Sequence, residues 1–256
     1  MRMARYEADG AEHYGLLEGD VLRRVSGDLF GALTPTGHSD QLAKIKLLAP
    51  IKNPRVFAVG MNYVGHIEEA GVATPDIPVL FMMPTTAVIG TGEPIVLPRE
   101  AQIVEHECEL TIVIGRKGRR IAQEDALDHV LGYTCSNDVS ERVIQRKETP
   151  NGCLLIGKAF DTFCPMGPVI ATGLDPGNLS IQTRVNGEIR QDGHTSDLLF
   201  SVPYLVSYIS QAITLLPGDV ILTGTPSGVG PLKPGDRVEI IIQGIGTLSN
   251  PVTAET

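Results

Sequence analysis

The sequence has no surplus of positive charge: 21 Lys and Arg stand against 30 Asp and Glu, a formal charge of −9, and the pI is near 5.1. Without a basic surface to neutralise phosphates and release their counterions, nucleic acid is not an expected partner. Long apolar runs are also missing, so no segment is expected to span a bilayer and no membrane partner follows. The opening stretch MRMARYEADG is polar where a signal peptide would be apolar, and a cytoplasmic location is expected. Cysteine is scarce: Cys108, Cys135, Cys153 and Cys164 form no CxxC pair and are too few to staple a chain of 256 residues. Reduced thiols are the expectation. Internal repeats and low-complexity segments are absent as well.

What is present is a chain with 42% hydrophobic residues and a mean hydropathy of +0.07, enough to bury a substantial core. Two short β-like runs, Met3 to Tyr6 and His13 to Leu17, predict a small β-rich N-terminal domain over residues 1–54. From Arg55 the texture changes, and residues 55–256 are expected to form the larger domain. The apolar run Arg55 to Val59 ends at Gly60 and predicts a core strand leading into the segment Asn62 to Ala70. Leu110 to Ile114 is β-branched and bounded by Gly115, the pattern of a buried strand. Asn186-Gly187 between β-capable pairs predicts a type I′ hairpin, because both central residues need positive φ. Ser201 can cap a helix whose apolar positions are Val202, Leu205, Val206, Ile209 and Ile213. Pro-Gly-Asp turns at 217–219 and 234–236 punctuate further strands, so the fold class expected is α+β and β-dominated.

Glu105, Glu107 and Glu109 lie two apart at the approach to the Leu110 strand, and in an extended chain they share a face, with His106 and Cys108 on the other. Carboxylates side by side repel, and packing them against an apolar strand is costly unless a cation neutralises them. An all-oxygen site suits magnesium, manganese or calcium better than zinc. The spacing alone equally describes a solvated edge strand with an acidic face. A fourth acid, Asp138, ends a strand-like run just before a polar helix expected over residues 140–148, where it could simply cap that helix.

The blocks VGMNYVGHIEEAG, VEHECELTIVIG, LGYTCSNDVSERVIQRK, IGKAFDTFCPMGPVI, RVNGEIRQDGHTSDLLF and LPGDVILTGTPSGVG, spread from about Arg55 to Val229, resemble the fumarylacetoacetate hydrolase family. The resemblance implies a mixed β-roll catalytic domain, usually a homodimer, with magnesium or manganese held by Glu107, Glu109 and Asp138. It also implies that Lys158 is the catalytic-site lysine. His66 and Glu69, which would meet on one helical face, resemble the base-carrying pair of a mobile lid. Gly224 and Thr225 resemble the loop that holds a substrate carboxylate, and Arg142, Gln191 and His194 fall in matching blocks where they could contact substrate. In one place the chain departs from the pattern, with Met83 where many members carry a lysine before the proline of the FxKP segment.

These resemblances imply an enzyme acting on a small 2-oxo acid through an enolate. Hydrolysis of a C–C bond in a 2,4-dioxo acid of the acylpyruvate or fumarylpyruvate type is the first expectation, since His66 oriented by Glu69 could deprotonate the attacking water. Oxaloacetate decarboxylation, or isomerisation or hydration of a 2-oxo dienoate in aromatic catabolism, would use the same metal ligands and Lys158. A 2-oxo acid-binding protein without turnover is the remaining reading.

Overall fold

The computed structural model describes residues 1–256. Its largest sheet has twelve strands, and the main path runs Leu33–Gln41, Val21–Gly27, Ala11–Glu18, Arg2–Ala8, Cys164–Ala171, Val130–Asn137, Cys108–Ile114, Val220–Leu222, Val56–Gly60 and Val79–Met83. A five-stranded sheet of Glu188–His194, Ser180–Val185, Arg237–Ile242, Gly246–Ala254 and Ile95–Leu97 packs on it. Four helices, α1 (Val64–Ala70), α2 (Arg142–Glu148), α3 (Ile156–Ala159) and α4 (Val202–Ala212), complete a β-dominated α+β fold.

The Cys108–Ile114 strand sits near the middle of the large sheet, flanked by Val130–Asn137 and Val220–Leu222, and every one of its residues is buried. That explains its near-continuous apolar sequence: both faces are covered, so alternation with polar residues would bury unpaired groups. Leu110, Ile112 and Ile114 face the core shared with the second sheet, where Ile181, Val238, Ile240 and Ile242 meet them. Arg237–Ile242 alternates instead, burying Val238, Ile240 and Ile242, because only one of its faces is covered. Truncating Leu110 to Ala would cost about 2–5 kcal/mol on these grounds.

Residues 1–54 have no separate sheet. Arg2 and Met3 pair with Ala171 and Ile170, so the N-terminal strands extend the large sheet at one end. Four strands and a two-residue strand stand where two runs were predicted. Leu33–Gln41 (LTPTGHSDQ) has no buried residue and no apolar period; it is held by backbone pairing with Val21–Gly27 and by Asp40, which accepts from Arg24 at 2.8 Å and from Tyr6 at 2.6 Å.

The hairpin forms as predicted, with Asn186 at φ 53° and Gly187 at φ 85°. Ser201 accepts from the Tyr204 N–H at 3.4 Å and starts α4, which ends one residue before Ile213. The polar helix expected over 140–148 begins later, at Arg142. Ser140 and Glu141 pair instead with Glu105 and Val104, and the Glu141 carboxylate caps α2 by accepting from the Ile144 N–H at 2.6 Å.

Candidate active site

Val56–Gly60 and Val220–Leu222 run parallel, and Cys108–Ile114 runs antiparallel to Val220–Leu222 and to Val130–Asn137. The chain therefore leaves Gly60, Leu222 and Asn137 and enters Cys108 at one end of the sheet, and the site residues collect there. Glu107 lies at the break before the central strand and Glu109 within it, while Asp138 follows Asn137 in the register Cys108↔Asn137. The Asp138 N–H donates to the Glu107 carbonyl at 2.9 Å, and the Glu107 N–H donates to the Asn137 side-chain oxygen at 2.9 Å, which locks the two acids side by side. One oxygen from each of Glu107, Glu109 and Asp138 lies within 4.8 Å of the others, and all three residues are buried.

Glu105 does not join them, a correction to the three-carboxylate face. The break at Glu107 carries Val104–His106 into a separate small sheet, where Glu105 accepts from Arg142 at 2.6 Å. His106 and Cys108 do turn away together, and both donate to the Gln191 side-chain oxygen, the ring nitrogen Nδ1 at 3.0 Å and the Cys108 backbone at 3.1 Å.

Burying three carboxylates demands positive charge. Lys158, brought in by α3 and only 3% exposed, places Nζ 2.8 Å from Glu107 and 2.7 Å from Asp138. Arg142 lies 2.6 Å from the other Glu107 oxygen. Burial alone would raise the Glu107 pKa, but Lys158 and Arg142 outweigh it and hold the group below the usual carboxylate range. Burial and the neighbouring carboxylates push Glu109 well above that range, and Asp138, despite Lys158, is pushed up to about 6. Burial tends to lower Lys158, yet Asp138 and Glu107 raise it, so the amine stays charged. Arg142 is shared with Glu105, so the two cations leave a deficit among the four acids, and burial beside the other carboxylates favours the protonated form of Glu109. A divalent cation would meet it differently. Asp138 Oδ1 is buried without a hydrogen-bond partner, and the donor set is all oxygen, so the residues fit magnesium or manganese.

Across from the acids, α1 carries His66 and Glu69 on one face, with Nδ1 3.2 Å from the Glu69 carboxylate. Glu69 also accepts from the Gly228 N–H at 3.0 Å, which fixes the carboxylate and leaves His66 Nε2 as the ring nitrogen available for proton transfer. Met61, leading into α1, holds φ 52°, a left-handed conformation that a non-glycine residue adopts at a cost of about 1–3 kcal/mol. Thr225 is buried, and its hydroxyl accepts from Gln191 Nε2 at 2.7 Å, leaving its own proton free to donate. Gly224 sits at φ 97° with its N–H donating to Glu109 at 2.6 Å, and a Cβ there would lie 2.8 Å from that of Asn62.

His66, Glu107, Glu109, Arg142, Lys158 and Thr225 line one chamber of about 100 Å³. It shares Met61, His66, Arg142, Gln145 and Thr149 with an outer cleft of about 600 Å³ between α1 and α2. Gln191 is not part of this lining. Its amide is consumed by Cys108, Thr183, His106, Thr225 and Pro226, so the expected substrate contact is corrected to a brace behind Thr225. Gly224 orients Glu109 rather than lining the chamber, and His194 caps a short turn through Ser196 outside it. Met83 is buried in the smaller core cluster, whereas Phe81, two residues earlier on the same strand face, lines the chamber with Lys158 Nζ 5.5 Å from its ring centroid. Phe81, Leu154 and Gln145 went unread in the sequence. The only signal for Phe81 was period-2 alternation with Met83.

Residues 55–253 match the family described as fumarylacetoacetate (FAA) hydrolase C-terminal, and residues 1–50 match one described as Rv2993c-like, N-terminal. The chain belongs to the fumarylacetoacetate hydrolase family. It is 45% identical over 232 residues to oxaloacetate tautomerase fahd2, mitochondrial, of Xenopus laevis, covering 86% of this chain and 72% of that protein. Among solved structures, 5-carboxymethyl-2-hydroxymuconate delta-isomerase from Mycobacterium smegmatis matches with a TM-score of 0.92 and 46% identity, covering 100% of both chains. Maleylpyruvate hydrolase from Sphingobium sp. SYK-6, in complex with manganese(II) ion and pyruvate, matches at 0.83 and 31% identity, again over 100% of both. The family thus contains tautomerases, isomerases and hydrolases on one scaffold.

Proposed function

We propose that this chain is a divalent-metal-dependent enzyme that interconverts the keto and enol forms of a small 2-oxo diacid of the oxaloacetate class. The observation that carries the reading is His66, backed by Glu69 in the outer cleft, which shares a chamber of about 100 Å³ with Lys158, Glu107 and Glu109. Glu107, Glu109 and Asp138 would hold magnesium or manganese, which when bound would polarise the 2-oxo group and acidify the adjacent C3–H. His66 Nε2 takes the C3 proton, and the C–H electron pair moves to make the C2–C3 double bond of the enolate. Glu69 stabilises the imidazolium that results and keeps the ring in one orientation. Lys158 Nζ offsets the negative charge on the enolate oxygen, and the free Thr225 proton holds the C1 carboxylate. Return of a proton to oxygen gives the enol. The 45% identity to an oxaloacetate tautomerase supports this choice within the family.

A second reading, C–C hydrolysis of a 2,4-dioxo acid, is favoured by the outer cleft of about 600 Å³, which offers room for an acyl group beyond the chamber. There His66 would deprotonate water, hydroxide would add to C4, and the C3–C4 bond would break with its electrons retained in the pyruvate enolate. The two readings separate in one assay. Ultraviolet absorbance of the enol is followed for oxaloacetate and pyruvate release is followed for acetylpyruvate and fumarylpyruvate, each with magnesium or manganese and with chelator. Chelator-sensitive equilibration of oxaloacetate without loss of carbon dioxide supports tautomerisation. Pyruvate release from the acylpyruvates alone replaces it with hydrolysis, and carbon dioxide release from oxaloacetate replaces it with decarboxylation.

A further inference from the structure

Gln191 spans two places: the Thr225 hydroxyl in the chamber and, on its other side, the ring of His106. Its amide orientation is fixed by backbone groups whose roles cannot reverse. The Cys108 N–H must donate to Oε1 at 3.1 Å, and the Pro226 carbonyl must accept from Nε2 at 2.8 Å. Oε1 is therefore an acceptor towards His106, and in the neutral ring Nδ1 carries the proton while Nε2 is a bare acceptor. That Nε2 is buried, on a residue only 1% exposed, and no protein group reaches it. It faces Gly230, where an added Cβ would stand 3.6 Å from it.

His106 lines a cavity of about 450 Å³ together with Asn186, Arg190, Gly230, Lys233 and Asp236. Asp236 is occupied by its own turn, accepting from Asn186 Nδ2 at 2.8 Å and from the Lys233 N–H at 2.7 Å. Lys233 Nζ has no carboxylate partner, and Arg190 meets only the exposed Glu188 at 2.9 Å. The cavity thus offers one buried acceptor and two cationic side chains. Its wall includes Gly228, whose N–H fixes Glu69, and Val229, which also lines the outer cleft.

We propose that this cavity is a second ligand site, taking a small hydroxylated carboxylate, and that it is coupled to the chamber through Gln191 and Thr225. The ligand hydroxyl donates to His106 Nε2, and the carboxylate lies against Arg190 and Lys233. Occupancy holds the His106 ring and its Nδ1–H on Oε1, which tightens the amide that the backbone already orients and with it the Thr225 hydroxyl that Nε2 contacts. The residues that would bind the ligand, His106, Arg190 and Lys233, lie outside the proposed catalytic machinery, so the site stands separately from the tautomerase reading, whereas the coupling rests on that reading's assignment of Thr225 to the substrate carboxylate.

The test is calorimetric titration of L-malate into the magnesium-loaded protein, into Lys233→Ala and into Gly230→Ala. Gly230 has an ordinary φ and its added Cβ makes only a normal contact, so this second variant should fold while obstructing the approach to Nε2. Saturable binding weakened about tenfold in each variant is expected, the effect of losing one charge-assisted or buried hydrogen bond. Turnover without malate should match the wild type in both. With malate, the KM for the 2-oxo acid should shift in the wild type, and the same shift should need about tenfold more malate in the variants. Equal binding in all three proteins would assign malate to the chamber and overturn the site. Absence of binding at concentrations on the order of millimolar would mean that water alone satisfies Nε2, and binding with no shift in KM would overturn the coupling.

Discussion

Lys158→Met removes the cation that sits between Glu107 and Asp138, at 2.8 and 2.7 Å, while keeping most of the side chain's apolar bulk. The structure then buries three carboxylates against Arg142, which is already shared with Glu105. Removing one member of a buried ion pair costs about 3–5 kcal/mol, because the partner is left uncompensated. Asp138 can relieve part of this by taking a proton, since its pKa already stands at about 6, so the low end, about 3 kcal/mol, is expected near neutral pH. For a chain of this size that corresponds to a fall in Tm of about 6–12 °C. The sign with pH follows from the raised carboxyl. Burial raises the Asp138 pKa and Lys158 is among the groups that lower it, so in the variant that carboxyl is raised further, above about 6. The deficit grows as pH rises past this range, whereas below pH 6 protonation removes the need for a partner and the variant approaches the wild type. Saturating magnesium or manganese supplies the missing charge, so the metal-induced rise in Tm should be larger in the variant than in the wild type. Differential scanning calorimetry in chelator and in excess metal, at one pH below 6 and one well above it, reads all of this. An unchanged Tm in chelator would refute the claim that Lys158 neutralises the acids.

Glu107→Gln should leave a folded protein that has lost metal-dependent turnover, and full activity in that variant would remove Glu107 from the ligand set. Glu69→Gln keeps the shape of the pair but not its charge, so kcat should fall about 10²-fold with little change in KM; a change confined to KM would make Glu69 a binding residue instead. Glu141 is partly raised by burial, but N–H donors from Ile144, Gln102 and Ile103 at 2.6, 3.0 and 3.2 Å outweigh that and depress its pKa. Glu141→Ala should therefore cost about 1–2 kcal/mol in denaturant unfolding. A depressed carboxyl stabilises the fold above its unfolded pKa and loses that contribution as pH falls, so the difference between variant and wild type should vanish in acid; a constant difference would place its origin in packing.

Where burial on both faces or a backbone requirement dictates residue type, the fold was legible in the sequence. Leu110 to Ile114 had to be a central strand, and Asn186-Gly187 had to be a primed turn. Leu33–Gln41 could not be read, because its conformation comes from pairing with its neighbour rather than from any burial of its own side chains. Alternation predicted that Glu107 and Glu109 share a face, and the family pattern added Asp138. Alternation also predicted wrongly that Glu105 joins them, since it assumes an unbroken strand and the chain changes sheets at Glu107. The role of Arg142 as a countercharge to Glu107 depends on α2 folding back over the acids, a long-range contact with no local signature. Gln191 was misread for the same reason: a buried amide and a substrate-binding amide look alike until their partners are known.

The most direct measurement is hydrogen exchange at C3 of a 2-oxo acid that can neither decarboxylate nor be hydrolysed, such as 2-oxobutyrate in deuterium oxide followed by proton NMR. Enzyme with magnesium or manganese should exchange the C3 hydrogens, and chelator or His66→Asn should each abolish the enzymatic component. Exchange that persists undiminished in His66→Asn, or that ignores the chelator, would contradict the account of a metal-assisted enolisation carried by His66.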